Sequence, residues 1–123
     1  MLGAASPVAF VATTDAGRAH AFYEHVLGLS FLADEEFALV FDLDGTTLRV
    51  TRVDRLDPQP FTVLGWRVDS AEDSVRGLTA RGVVFERYPA LEQDALGIWT
   101  APSGARMTWF KDPDGNVLSI SEP

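Results

Sequence analysis

The sequence predicts an α+β fold of two tandem βαβββ modules, whose strands form a cupped mixed β-sheet with both helices on the convex side. Three observations predict it. Strands of alternating polarity meet at Asp-Gly turns, two amphipathic segments each follow a capping Asp or Ser, and the whole pattern occurs twice. The recurrence holds residue by residue. In FDLDGTTLRVT, Asp42, Asp44, Gly45, Leu48 and Val50 stand at one constant separation before Asp112, Asp114, Gly115, Leu118 and Ile120 of FKDPDGNVLSIS. Upstream, a shorter separation relates Asp15, Gly28 and Phe31 to Asp69, Gly82 and Phe85, so the second copy carries an insertion, Pro89 to Gly104.

In the first module, VAFVAT (Val8 to Thr13) is short and β-prone. Asp15 then offers an N-cap for a helix reaching Val26, and Gly28 supplies its C-terminal stop. Ala19, Phe22, Tyr23 and Val26 share one face of that helix, the apolar stripe of a helix laid on a sheet. Strands follow at Leu29 to Ala33, Phe37 to Leu43 and Thr46 to Val53. The connector RLDPQP, Arg55 to Pro60, has turn composition. The second module repeats the order, with a strand from Phe61 to Val68 and a helix capped by Ser70 that turns Ala71, Val75 and Leu78 inward. Its remaining strands are expected near Val83 to Tyr88, Ala105 to Lys111 and Val117 to Ser121. Residues 1–123 thus form one domain, with module boundaries near 6–54 and 60–123, in keeping with the usual size of a domain.

Composition narrows the function. Of 123 residues 46% are hydrophobic, enough for a core, and ten Lys and Arg against eighteen Asp and Glu give a net charge of −8. That charge opposes binding to nucleic-acid phosphates or anionic lipid. There is no cysteine, which excludes disulfides and thiolate chemistry. The N-terminal MLGAASPVAFVATTDAGR lacks the basic and long apolar regions of a signal peptide, and no stretch of about 18 apolar residues occurs, so the expectation is a cytoplasmic protein.

Together the tandem repeat, the HAFYEHVLGLSF helix-to-strand passage and the terminal FKDPDGNVLSI hairpin resemble the glyoxalase, bleomycin-resistance and extradiol-dioxygenase superfamily, also called vicinal oxygen chelate. The resemblance implies a concave face that holds substrate and, in the enzymes, a divalent metal bound by His or Gln, His and Glu on the first and last strands of each repeat. It places those ligand positions at Val8, at about Val63, and at Arg49 and Ser119. None of these is a competent ligand, because such metals want imidazole or carboxylate donors. His20 and His25 lie about 140° apart around one helix and do not chelate together. They read as exposed helix residues. No metal and no other cofactor is expected.

With Val8 and Ser119 inward, strand alternation assigns the rest of the lining. Phe10 and Ala12 accompany Val8; Thr47 and Thr51 accompany Arg49; Gly65 and Arg67 accompany Val63; Val117 and Ser121 accompany Ser119. Met107 and Trp109 face the cup while Phe110 fills the helix side. The candidate ligand-binding residues are therefore Val8, Phe10, Thr47, Arg49, Val63, Arg67, Met107, Trp109 and Ser119, with Trp99 from the insertion. Trp109 and Phe10 also read as core filling, and a salt bridge to a neighbouring carboxylate is the plainer reading of Arg49 and Arg67. The Asp residues of the hairpins read as turn formers. The insertion reads as a flap over one end of the cup, or as a short extra strand with a turn at Pro102 to Gly104.

The leading function is a metal-independent small-molecule binding protein, similar to drug-sequestering members of the superfamily. The alternatives are a metal-dependent glyoxalase-like lyase, isomerase or dioxygenase, and an interaction module without ligand. The expected partners are a small organic molecule and a second copy of the chain in a homodimer, with no nucleic acid and no membrane.

Overall fold

Asp15 and Ser70 start the two helices as their residue types require. Asp15 Oδ1 accepts from the Arg18 amide at 3.1 Å, and Ser70 Oγ accepts from the Asp73 amide at 3.1 Å. In the computed structural model, which describes residues 1–123, the chain divides into two units, Met1–Asp57 and Pro58–Pro123.

The first unit contains strand β1 (Val8–Thr13), helix α1 (Ala16–Ala21), a π-helical turn (Phe22–Val26), and strands β2 (Ser30–Asp34), β3 (Ala38–Leu43) and β4 (Thr46–Arg52). The sheet order is β1-β4-β3-β2, with β1 parallel to β4 and the other pairs antiparallel. A two-residue loop joins β3 to β4. Asp44 and Gly45 take φ of 53° and 98° there, and the Gly45 amide donates to Asp42 Oδ1 at 3.0 Å. Two consecutive positive φ values make the hairpin turn that matches strand twist, and Gly adopts one without strain. On one face of the sheet Leu39, Phe41, Leu48 and Val50 are buried together with Ala19 and Tyr23. Each large side chain so removed from water contributes roughly 1.5–3 kcal/mol before entropy is counted. His20 is half-buried rather than exposed, because its ring stacks on Phe31 at 4.1 Å and Nε2 meets the Glu24 carboxylate.

The second unit contains β5 (Thr62–Arg67), α2 (Ala71–Ala80), β6 (Trp99–Thr100), β7 (Arg106–Lys111) and β8 (Val117–Glu122), in the order β5-β8-β7-β6. Strand β5 runs parallel to β8, and β7 is antiparallel to both its neighbours. Phe110, Leu118 and Ile120 are buried on the face that carries α2, as are Ala71 and Val75 of the helix. The Ala71 amide donates to Glu122 Oε1 at 2.8 Å, fixing the helix start to that face.

One expected strand does not form. Val83 to Tyr88 is not a strand: Phe85 makes a single bridge to Phe110, and the fourth strand of the sheet is β6, from within the insertion. The physical reason is Gln93. Its Oε1 accepts from the Tyr88 amide at 2.7 Å, and its Nε2 donates to the carbonyls of Glu86 at 2.9 Å and Gly97 at 2.8 Å. A side-chain amide thus takes the backbone groups a ladder would have used. Arg87 adds bonds to the carbonyls of Asp94 and Ala95 at 2.6 and 2.8 Å. The insertion is accordingly the short strand and turn of the two readings, and Ile98 is buried with Ala71 and Val75.

Replacing Gln93 by Ala strands these backbone groups. We expect a loss of about 1–3 kcal/mol in chemical denaturation, with faster amide exchange at Tyr88. An unchanged midpoint and exchange rate would contradict the role given to Gln93.

Candidate functional site

Residues opposite one another in a ladder share a face, so register sorts the candidate residues. In the first unit Phe10 and Val40 flank Arg49, and Val8 flanks Thr47. These stand on the face away from the buried Leu48 and Val50. Val8 is 46% and Phe10 59% exposed, so neither fills a closed core. Arg49 Nη1 donates to Glu35 Oε1 at 2.9 Å, the salt bridge expected of it.

In the second unit three rows cross the face away from α2. Arg67, Ser121, Met107 and Trp99 form one row, and Gly65, Ser119 and Trp109 the next. The third is Thr62, Val117 and Lys111. Val63 departs from simple alternation. A bulge between Thr62 and Leu64 leaves it out of the ladder, and Thr62 stands opposite Val117 instead. Arg67 is exposed and has no carboxylate partner, against the salt bridge expected. It lies on an edge strand whose ladder neighbour is Ser121, and no acidic side chain of the unit reaches it.

One end of this face is a pocket of about 370 Å³ lined by Pro60, Phe61, Thr62, Tyr88, Trp109 and Val117. The Tyr88 and Trp109 rings meet edge to face at 5.5 Å, and Trp99 stands beyond the lining with its ring 6.2 Å from Trp109. Phe61 and Tyr88 were not singled out from the sequence. Phe61 stands at the first position of the strand expected from Phe61 to Val68 and Tyr88 at the last of the segment expected from Val83 to Tyr88, and the alternation was anchored on Val63 and Trp109 without being extended to either end. A better signal was the FxxY spacing of Phe85 and Tyr88, since Phe85 packs inward and the chain then turns Tyr88 to the other side.

Ser119 sits at the centre of the face and is 6% exposed. Its hydroxyl leans over Gly65, where an added Cβ would come within 2.6 Å of Ser119 Oγ. Glycine is required there because of this close approach. Burial first, and the Glu86 carboxylate second, raise the Tyr88 phenol above its ordinary value, with Lys111 opposing. Tyr88 is therefore a neutral hydrogen-bond donor at physiological pH.

The residues do not fit a divalent metal. Val8 and Val63 have no donor atom, Arg49 brings a cation already bonded to Glu35, and Ser119 offers a single neutral hydroxyl. No group of three or more His, Cys, Asp or Glu side chains gathers elsewhere in the chain to hold one.

Two outcomes check this geometry. Gly65→Ala overpacks the contact with Ser119, and a loss of about 1–3 kcal/mol in denaturant unfolding is expected. Most of that loss should return in the Gly65→Ala, Ser119→Ala double variant; a neutral Gly65→Ala would refute the contact. For Tyr88, the alkaline absorbance titration of the protein minus that of Tyr88→Phe should give a step above pH 10. A phenol raised in the folded state contributes stability below the ordinary tyrosine value and loses it as pH climbs through the folded one. Glu86→Gln should lower the step, and a step at or below the free-phenol value would contradict the assigned causes.

Comparisons with known proteins agree with the architecture. Residues 6–120 match the family model described as Glyoxalase/Bleomycin resistance protein/Dioxygenase superfamily. No curated protein matches the sequence. Among solved structures, the chain is similar to a member of the glyoxalase/bleomycin resistance protein/dioxygenase superfamily from Sphaerobacter thermophilus, at 24% identity and a TM-score of 0.73, covering 96% of this chain and 98% of that one. It is also similar to a lactoylglutathione lyase from Agrobacterium tumefaciens, at 18% identity and a TM-score of 0.74, covering 97% and 93%. A genomically encoded fosfomycin resistance protein from Listeria monocytogenes follows at 13% identity and a TM-score of 0.73, covering 95% and 91%.

Proposed function

The chain belongs to the Glyoxalase/Bleomycin resistance protein/Dioxygenase superfamily, and from that membership we propose that it binds a small organic molecule without a metal ion and acts by holding it rather than by turning it over. The observation that carries this reading is the face of β5–β8. An aromatic pocket lies beside Ser119, the residue that the resemblance to the family puts at a metal-ligand position. The similar lyase and fosfomycin resistance proteins name enzymatic or resistance activities of their own. Activation of vicinal oxygens in this fold depends on an electrophilic metal. The residues at Val8, Arg49, Val63 and Ser119 favour capture over that chemistry.

The pocket suits an aromatic ligand by area. Covering on the order of 200 Å² of apolar surface gains about 5 kcal/mol. Micromolar binding represents roughly 8 kcal/mol, and ordering costs must also be met. Polar groups therefore have to supply the remainder, and Tyr88, Thr62 and Ser119 are the nearest to do so.

Titration of EDTA-treated protein with aromatic metabolites and antibiotics should give saturable changes in tryptophan fluorescence, unaltered by added Zn²⁺, Ni²⁺ or Mn²⁺. A stoichiometric, EDTA-removable metal that switches on turnover of a hemithioacetal or catechol would overturn the proposal.

A further inference from the structure

The cations on the β5–β8 face differ in what already neutralises them. Lys111 Nζ lies 3.4 Å from Glu86 Oε1, so its charge is matched inside the protein. Arg67 has no such partner, and its guanidinium is exposed on the same face. Two rows separate it from the pocket end, at about 7 Å per row along the strands. Between them lies Ser119, whose hydroxyl has no partner within the chain and is turned toward Gly65. The face thus runs from aromatic rings, past a hydroxyl, to an unmatched guanidinium. We infer that the ligand is a flat aromatic carboxylate, its ring against Trp109 between Phe61 and Tyr88 and its carboxylate on Arg67. This rests on the binding function proposed above.

The net charge of −8 points the other way, toward cations. At physiological ionic strength, charges beyond about 8 Å are largely screened, whereas a guanidinium and a carboxylate in contact form paired, charge-assisted hydrogen bonds. Local chemistry therefore decides the sign of the ligand. The planar fork of Arg67 also prefers a carboxylate to a lone hydroxyl.

The test uses three probes of one shape: 3-(2-naphthyl)propanoate, the corresponding propylamine and the corresponding propanol. Each is titrated calorimetrically into the full chain in EDTA and 150 mM salt. The acid is expected to bind at least tenfold tighter than the amine or the alcohol. Arg67→Gln should bring the acid to the affinity of the alcohol while leaving the alcohol's unchanged, and Arg67→Lys should recover part of the difference. The Arg67 side chain makes no hydrogen bond or ion pair within the chain, so the melting temperature of both variants should match that of the parent. Equal or tighter binding of the amine, or an Arg67→Gln variant that keeps the acid's advantage, overturns the inference and leaves metal-free binding standing. Absence of binding by all three probes likewise overturns the inference, whereas the binding function is overturned by its own fluorescence titration.

Discussion

The register of the two central hairpins is the constraint on which the rest depends. Asp44 and Gly45 close β3 onto β4 so that Leu43 pairs with Thr46. Asp112 closes β7 onto β8 differently. Its Oδ1 accepts from the amides of Asp114 and Asn116 at 3.0 and 2.9 Å, and Asn116 Nδ2 donates to Oδ2 at 2.7 Å. A slip of one residue in either hairpin would exchange the two faces of the strand. Phe110 and Leu118 would leave the core, and Trp109 and Ser119 would enter it. Turn chemistry that looks like a cluster of acids is thus what keeps the aromatic face outside.

Given that register, function follows from what each outward position carries. The resemblance to the family places its metal-ligand positions on the first and last strands of each unit. Here they hold two valines, an arginine tied to Glu35 and a serine. That set lacks the imidazole and carboxylate donors that divalent metals favour. The face of β5–β8 presents aromatic rings, a phenol, a hydroxyl and one unmatched guanidinium. Those groups suit the orientation of a bound ligand, which is the function proposed above.

Most of this architecture was legible in the sequence because it rests on period. Alternation gave the outward placement of Thr47, Arg49, Arg67, Met107, Trp109 and Ser119, and the capping residues gave both helix starts. What escaped rests on single side-chain contacts that leave no period. Gln93 dissolves the strand expected at Val83 to Tyr88 by taking its backbone bonds, and so moves Tyr88 into the pocket. The bulge at Val63 replaces it by Thr62 in the ladder, a shift of one residue that no composition signals. His20 is half-buried because Phe31 happens to lie under it across the helix-to-strand turn.

Ligand bound as proposed occupies the face of β5–β8 away from α2, and three tryptophans report on it directly. Trp99 and Trp109 lie on that face, whereas Trp66 pairs with Ile120 and its ring stacks at 6.5 Å on the buried Phe110. In ¹H–¹⁵N spectra of the metal-free protein, adding a naphthyl probe should shift the indole N–H resonances of Trp99 and Trp109 and leave that of Trp66 in place. Movement of Trp66 alone, or of none of the three at saturating probe, would contradict the account.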